Sequence, residues 1–208
     1  MKIKMLVIYA VLACFVLGGK AFANTPVTEE VKKTVDEVIR IVTDKELKKP
    51  GAEKKRRVEL RTAIGSLFDY KEMTKRTLGS HWKEISPADR TEITGLFTNL
   101  LENSYAGKIE SYNNEKVVYL KENVDEDYAE VKSKVISVKH DEFSVNYRLL
   151  NEDGKWRVYD VVIEGVSLVS NYRSQFNKII NENGYDELVK KLRTKSKEIK
   201  DLKEIKKL

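Results

Sequence analysis

The chain has 208 residues, one cysteine and a formal net charge of +6, from 39 lysines and arginines against 33 acidic residues. That length suits one domain with a sizeable core, and the lone Cys14 excludes a disulfide framework or a cysteine-built metal site. The charge is uneven: the first 23 residues carry three lysines and no acid, and residues 190–208 carry nine basic and three acidic residues, so the body between them is left at −3.

Lys2 and Lys4, the apolar run Met5 to Leu17 and the small-x-small triplet Ala21-Phe22-Ala23 form a secretory signal, with cleavage expected after Ala23. The apolar run is shorter than the about 20 residues of a membrane span. The mature chain from Asn24 then has no cysteine and is stabilised by burial alone. Export disfavours nucleic acid as a partner. The expected organisation is a signal peptide over 1–23, one α+β domain over 24–189 and a basic helical tail over 190–208. That tail reads as a solvated helix, with anionic head groups or an acidic partner as the alternative.

Val31, Val35, Val38, Ile39 and Val42 share one face of a helix starting near Thr28. Lys49-Pro50-Gly51 breaks it. A second helix is expected over about Ala52 to Leu67, with Val58, Leu60, Ala63, Ile64 and Leu67 apolar. Phe68-Asp69-Tyr70 is a junction, and Met73 to Leu78 a short helix ending at Gly79. Ser86, Pro87 and Asp89 then signal a helix start. Ile93, Leu96, Phe97, Leu100, Leu101 and Tyr105 follow as one continuous apolar face.

The period next changes to that of strands. Glu115 to Leu120 is β-branched and aromatic, and residues 121–127 read as short turns. Over Tyr128 to Val138, Ala129, Val131, Ser133 and Val135 share a side, then Ile136 and Val138 switch, which suggests a bulge. Phe143, Val145, Tyr147 and Leu149 alternate with Glu142, Ser144, Asn146 and Arg148. Asn151 to Gly154 is a hairpin turn and Trp156 to Ile163 the returning strand. Leu168, Tyr172, Phe176, Ile179 and Ile180 line a helix after Ser167 that Asn183-Gly184 caps, and a last helix starts near Asp186. The fold class is α+β: N-terminal and C-terminal helices packed on one twisted antiparallel sheet of about four strands, enclosing an apolar pocket.

Asp160 and Glu164 stand four apart, which in a strand is one face but about 13 Å. That separation argues against paired acid/base work. Glu164 is expected to serve the turn at Gly165 and the amides of the next helix, with Ser167 as its N-cap rather than a nucleophile. His81 and His140 lie in unrelated elements. No G-x-S-x-G, H-E-x-x-H or phosphate-binding glycine loop occurs. No catalytic residue, metal or cofactor is expected.

The run W-x-x-Y-D-V-x-x-E-G-V-S over Trp156 to Ser167 resembles the C-terminal signature of the MlaC (toluene-tolerance) family of periplasmic phospholipid-binding proteins. Phe68-Asp69-Tyr70, Met73, Leu78-Gly79, His81-Trp82 and Ser86 to Arg90 are similar to that family's helical region, and Leu100 to Tyr105 with Ser111-Tyr112 continue in step. The resemblance implies a soluble periplasmic carrier of a glycerophospholipid that serves outer-membrane lipid asymmetry. It also implies two partners, an outer-membrane lipoprotein–porin complex and an inner-membrane ABC transporter with an MCE subunit.

Under that resemblance the apolar faces become pocket walls. On the helices these are Phe68, Met73, Leu78, Trp82, Leu96, Phe97, Leu100 and Leu101. On the strands they are Phe143, Val145, Tyr147, Trp156, Val158, Tyr159, Val161 and Ile163. Tyr105, Lys108, Arg157, Asn171 and Arg173 are candidate head-group neighbours. The rival readings are a small-molecule enzyme, which requires a titratable group in the pocket, and a protein-binding adaptor, which requires no pocket.

Overall fold

A computed structural model of the chain describes residues 27–205, with side chains through Lys197. The expected signal peptide and its cleavage point lie outside the described residues. Helices come first, then strands, then helices. No described helix is long and apolar enough to cross a membrane.

Helix α1 (Val27–Thr43) buries Val27, Val31, Ile41 and Val42. A strand residue caps it: the Glu122 carboxylate accepts from the Thr28 amide and hydroxyl, both at 2.6 Å. An acid there also faces the positive end of the helix dipole. Helix α2 (Glu53–Gly65) departs from the expected apolar face. Only Leu60 is fully buried, and Val58 is 58% exposed. The reason is its setting, for α2 lies on α1 and otherwise presents a charged seam in which Arg61 pairs with Glu102 and Arg56 stands 3.5 Å from Glu110.

Helix α3 (Tyr70–Leu78) starts three residues before Met73, because Asp69 accepts from the Glu72 amide at 2.8 Å and caps it. It ends at Gly79, where φ is +59°. One turn follows as α4 (His81–Glu84). Helix α5 (Pro87–Glu110) begins with the expected capping box: the Asp89 amide donates to the Ser86 hydroxyl at 3.2 Å, and the Ser86 amide donates to the Asp89 carboxylate at 3.2 Å. Ile93, Phe97 and Leu101 are its buried residues.

The strands are β1 (Lys116–Asp125), β2 (Tyr128–Ile136), β3 (Glu142–Glu152), β4 (Lys155–Ile163) and β5 (Val166–Ser167). They form one antiparallel sheet in chain order, so the sheet has five strands rather than about four. Asp153 and Gly154 take φ of +51° and +79°, the two left-handed positions of a tight hairpin turn. Residues 121–125 are strand, not turn; Lys121, Asn123 and Asp125 lie on the wet face of β1, an edge strand. The expected bulge at Ile136 is absent, since β2 simply ends there. The register shifts instead at Leu120 in β1 and at Tyr159 in β4.

Helices α6 (Leu168–Asn183) and α7 (Tyr185–Ile205) close the chain, separated by Gly184 at φ +85°. Lys190, where the basic tail was expected to begin, lies inside α7 next to the buried Leu188, Val189 and Leu192.

The core has three parts. Met73, Leu78, Trp82, Ile93, Phe97 and Leu101 meet Val169, Phe176, Leu188, Val189 and Leu192 in a bundle of α3 to α7. Val27 and Val31 of α1 with Leu67 cover one face of the sheet, made of Ala129, Val131, Leu149, Val158 and Val161. Ile41, Val42, Leu47 and Leu60 form a smaller cluster between α1 and α2. Phe68 packs against both the bundle and the sheet cluster. Its segment is held on the β4 edge, where the Val158 amide donates to Leu67 O at 2.8 Å and the Asp69 amide to Val158 O at 2.9 Å.

Candidate functional site

Cross-strand rows on the covered sheet face show how far α1 shields it. Val124, Ala129, Leu149 and Val158 form one row, Glu122, Val131, Tyr147 and Val161 the next, and Tyr119, Ser133, Val145 and Ile163 a third. Opposed residues in such rows pack side by side. Ala129, Leu149, Val158, Val131 and Val161 are buried, whereas Tyr119, Val145, Tyr147 and Ile163 are only half-buried. A fourth row, Val117, Val135 and Phe143, lies at the open end, and Phe143 is 39% exposed. The apolar face therefore runs on past the helix that covers it.

The expected wall residues divide between the two large clusters. Met73, Leu78, Trp82, Phe97 and Leu101 are buried in the bundle, with Leu96 and Leu100 half-buried against it. Val158, Val161, Val145, Tyr147, Trp156 and Ile163 belong to the sheet cluster, and Phe68 touches both. Phe143 and Tyr159 fall outside both. Phe143 sits where the sheet outruns α1. Tyr159 is the bulged residue of β4 and meets Tyr128 edge to face, while the Arg76 guanidinium lies 3.9 Å from its ring centre.

Two open surface depressions are lined mainly by charged and polar side chains. One of about 430 Å³ lies along α1 and is lined by Glu29, Lys32, Lys33, Asp36, Glu37 and Arg40. The other, about 190 Å³, is lined by Asn123, Asp125, Tyr128, Ala129, Glu130, Arg148 and Tyr159. Neither is lined by the apolar residues that fill the bundle, so the expected apolar pocket is not one of them.

Several expected head-group neighbours are engaged within the fold. Arg157 donates to Ser66 O at 2.8 Å, tying the end of α2 to β4. The Arg173 guanidinium lies over Gly79, 3.0 Å from where a β-carbon would stand, and the positive φ there is what favours glycine. Asn171 accepts from Gln175 Nε2 at 3.3 Å. Tyr105 is half-buried against the bundle, and Lys108 is exposed.

Asp160, rather than the expected Glu164, serves an amide of the next helix. Asp160 is 2% exposed and holds the start of α6: its Oδ1 accepts from the Val169 amide at 3.0 Å and its Oδ2 from the Ser167 hydroxyl at 2.6 Å. Oδ2 also accepts from Arg148 Nη1 at 3.2 Å. Glu164, at φ +49°, reaches back to the Ser144 amide, and that bond holds its carboxyl below the usual range. Ser167 is the N-cap, accepting from the Ser170 amide at 3.0 Å. His81 pairs locally with Glu84 at 3.0 Å.

One residue of this face was not among the sequence candidates. The Tyr119 hydroxyl is fully enclosed yet has no hydrogen-bond partner among the described residues. An unserved buried hydroxyl costs about 1–3 kcal/mol. The signal available in the sequence was a tyrosine on the inward side of a β-branched run.

Three half-buried tyrosines predict an alkaline transition. Burial pushes Tyr70 and Tyr147 up to about 12, and burial with Asp89 and Glu92 does the same for Tyr185. The folded state thus keeps these hydroxyls neutral where the unfolded chain ionises them, near about pH 10. Their contribution is complete below that pH and is lost as pH rises toward 12. Thermal melts followed by circular dichroism should hold level up to about pH 10 and fall beyond it. A level profile through that window would contradict the burial of these groups.

Residues 32–194 match the family model described as MlaC protein. The chain belongs to the MlaC family. A curated relative, the intermembrane phospholipid transport system binding protein MlaC of Haemophilus influenzae, is 30% identical over 122 residues. That alignment covers 56% of this chain and 57% of the relative, so the chain spans little more than half the length of the relative it matches. A solved phospholipid-binding protein from Ralstonia solanacearum, in complex with a phospholipid, is 27% identical with a TM-score of 0.76. The likeness covers 84% of this chain and 99% of that one. The α+β architecture of this MlaC-family chain is thus shared with a protein whose own structure contains a lipid.

Proposed function

We propose that this MlaC-family protein is a non-catalytic carrier of glycerophospholipid, holding acyl chains against the apolar sheet face and the bundle that meets it at Phe68. The observation that carries the reading is the structural likeness over 84% of the chain to a protein solved with phospholipid bound. The half-covered rows through Val145, Tyr147 and Ile163 support it, because they extend an apolar wall beyond the helix that shields it. The expected signal peptide supports a periplasmic location. Within that compartment the carrier would move lipid between an outer-membrane lipoprotein–porin complex and an inner-membrane ABC transporter with an MCE subunit.

Energetics explain the need for such a carrier. Each methylene moved from hydrocarbon into water costs about 0.8 kcal/mol, so a diacyl lipid leaving a bilayer alone faces roughly 25 kcal/mol. That barrier corresponds to a rate on the order of 10⁻⁶ per second. An apolar wall replaces the bilayer as solvent, and transfer needs no reacting group. The test is transfer of labelled phospholipid between two vesicle populations. Transfer should rise in proportion to the purified protein added; transfer at the spontaneous rate at every protein concentration would overturn the reading.

A further inference from the structure

The unserved Tyr119 hydroxyl stands at an informative place. Tyr119 lies on β1 directly opposite Ser133, whose buried hydroxyl donates to Val145 O and is thereby used. The rest of its row, Val145 and Ile163, offers no polar side chain. Its ring packs on the cluster of Val27, Val31, Ala129, Val131 and Leu149. Glu29 and Asp36 of α1 are the acids near enough to disfavour its ionisation, and both line the α1 depression beside Lys32 and Lys33. Tyr119 therefore sits where the apolar face gives way to a polar, cation-bearing surface. Burial, then the neighbouring Tyr147 phenol and those acids, hold the phenol well above its ordinary range, so it stays a neutral donor.

A phenylalanine would fill the same volume without enclosing a polar atom. The donor has a use if its acceptor arrives with the ligand. In a diacyl phospholipid the acceptors that follow the chains into an apolar site are the ester carbonyls, which lie between the hydrocarbon and the head group. We propose that the Tyr119 hydroxyl donates a hydrogen bond to an acyl-ester carbonyl of the bound lipid and sets the depth at which the glycerol backbone rests. This rests on the phospholipid reading above and adds a chemical selectivity that apolar burial alone lacks: ester-linked chains over ether-linked ones. The phosphate level would then fall toward the α1 rim with Lys32 and Lys33.

The experiment compares wild type with Tyr119→Phe, each delipidated, refolded and titrated with two phosphatidylglycerols of equal chain length, one diester and one diether. Wild type should bind the diester about tenfold more tightly, equivalent to about 1.4 kcal/mol. Tyr119→Phe should bind the two alike, at the wild-type diether affinity, with a thermal midpoint equal to or above that of wild type. Equal affinity of wild type for both lipids, as expected if an internal water serves the hydroxyl, overturns the proposal while leaving the carrier reading standing. An undiminished ester preference in Tyr119→Phe also overturns it. Failure of wild type to bind either lipid would instead sink the carrier reading on which it rests.

Discussion

Replacing Asp160 by alanine is expected to cost about 3 kcal/mol of folding stability, the lower end of the range for breaking a buried charge pair. The carboxylate serves the Val169 amide, the Ser167 hydroxyl and the Arg148 guanidinium at once. Its loss leaves the α6 amide without an acceptor in a buried setting, a cost that an exposed amide would not incur. Arg148 is 41% exposed and keeps Glu130 at 3.9 Å, which limits the loss on that side. Asparagine retains an acceptor for the Val169 amide and should recover part of the loss. Urea unfolding with unchanged m-value reads the effect. An Asp160→Ala midpoint equal to that of wild type would mean that the corner between β4 and α6 is held by its packing alone.

Replacing Val145 by aspartate should weaken phospholipid retention by at least about a hundredfold, because an acyl chain packed there must desolvate a carboxylate. Val145 is half-buried in the row with Tyr119 and Ile163, so a charge there can remain hydrated when no ligand is present. The variant should fold, with a wild-type circular dichroism spectrum, and still fail to retain lipid through purification. A folded Val145→Asp protein that carries wild-type amounts of lipid would move the acyl chains elsewhere. The same change at Leu149 would not discriminate, since that side chain is fully enclosed and the fold itself would suffer.

Local signals in the sequence translated well into structure. Ser86, Pro87 and Asp89 fix the start of α5 through contacts within four residues, and Asp153-Gly154 closes a hairpin by its own backbone preference. The five-residue extension of β1 was hidden for a physical reason. An edge strand with a wet face takes residues such as Lys121 and Asn123, which taken alone also suit turns. Glu122 shows what composition could not convey, for its role is to cap α1, 94 residues away. The parts played by Asp160 and Glu164 were hidden in a similar way: β4 ends at Ile163, and Glu164 at φ +49° turns its carboxylate to Ser144 of β3, which leaves Asp160 to serve α6.

The wall residues were legible as apolar faces, but their division into two clusters was not. Periodicity tells which side of an element is buried and is silent on what it is buried against. Phe68 illustrates the gap: in the sequence it is a junction residue, whereas in the fold it is the contact between bundle and sheet. In the sequence Tyr119 is one aromatic in a β-branched run. Only the enclosed, unpaired hydroxyl marks it out.

The most direct measurement is of what the protein carries. The full chain, residues 1–208, would be purified from cells, extracted with organic solvent and the extract quantified by mass spectrometry. A phospholipid carrier predicts diacyl phospholipid in about equimolar amount, lost on delipidation and regained on incubation with vesicles. Protein that comes from cells free of lipid, and that takes up none from vesicles while remaining folded, would contradict the account.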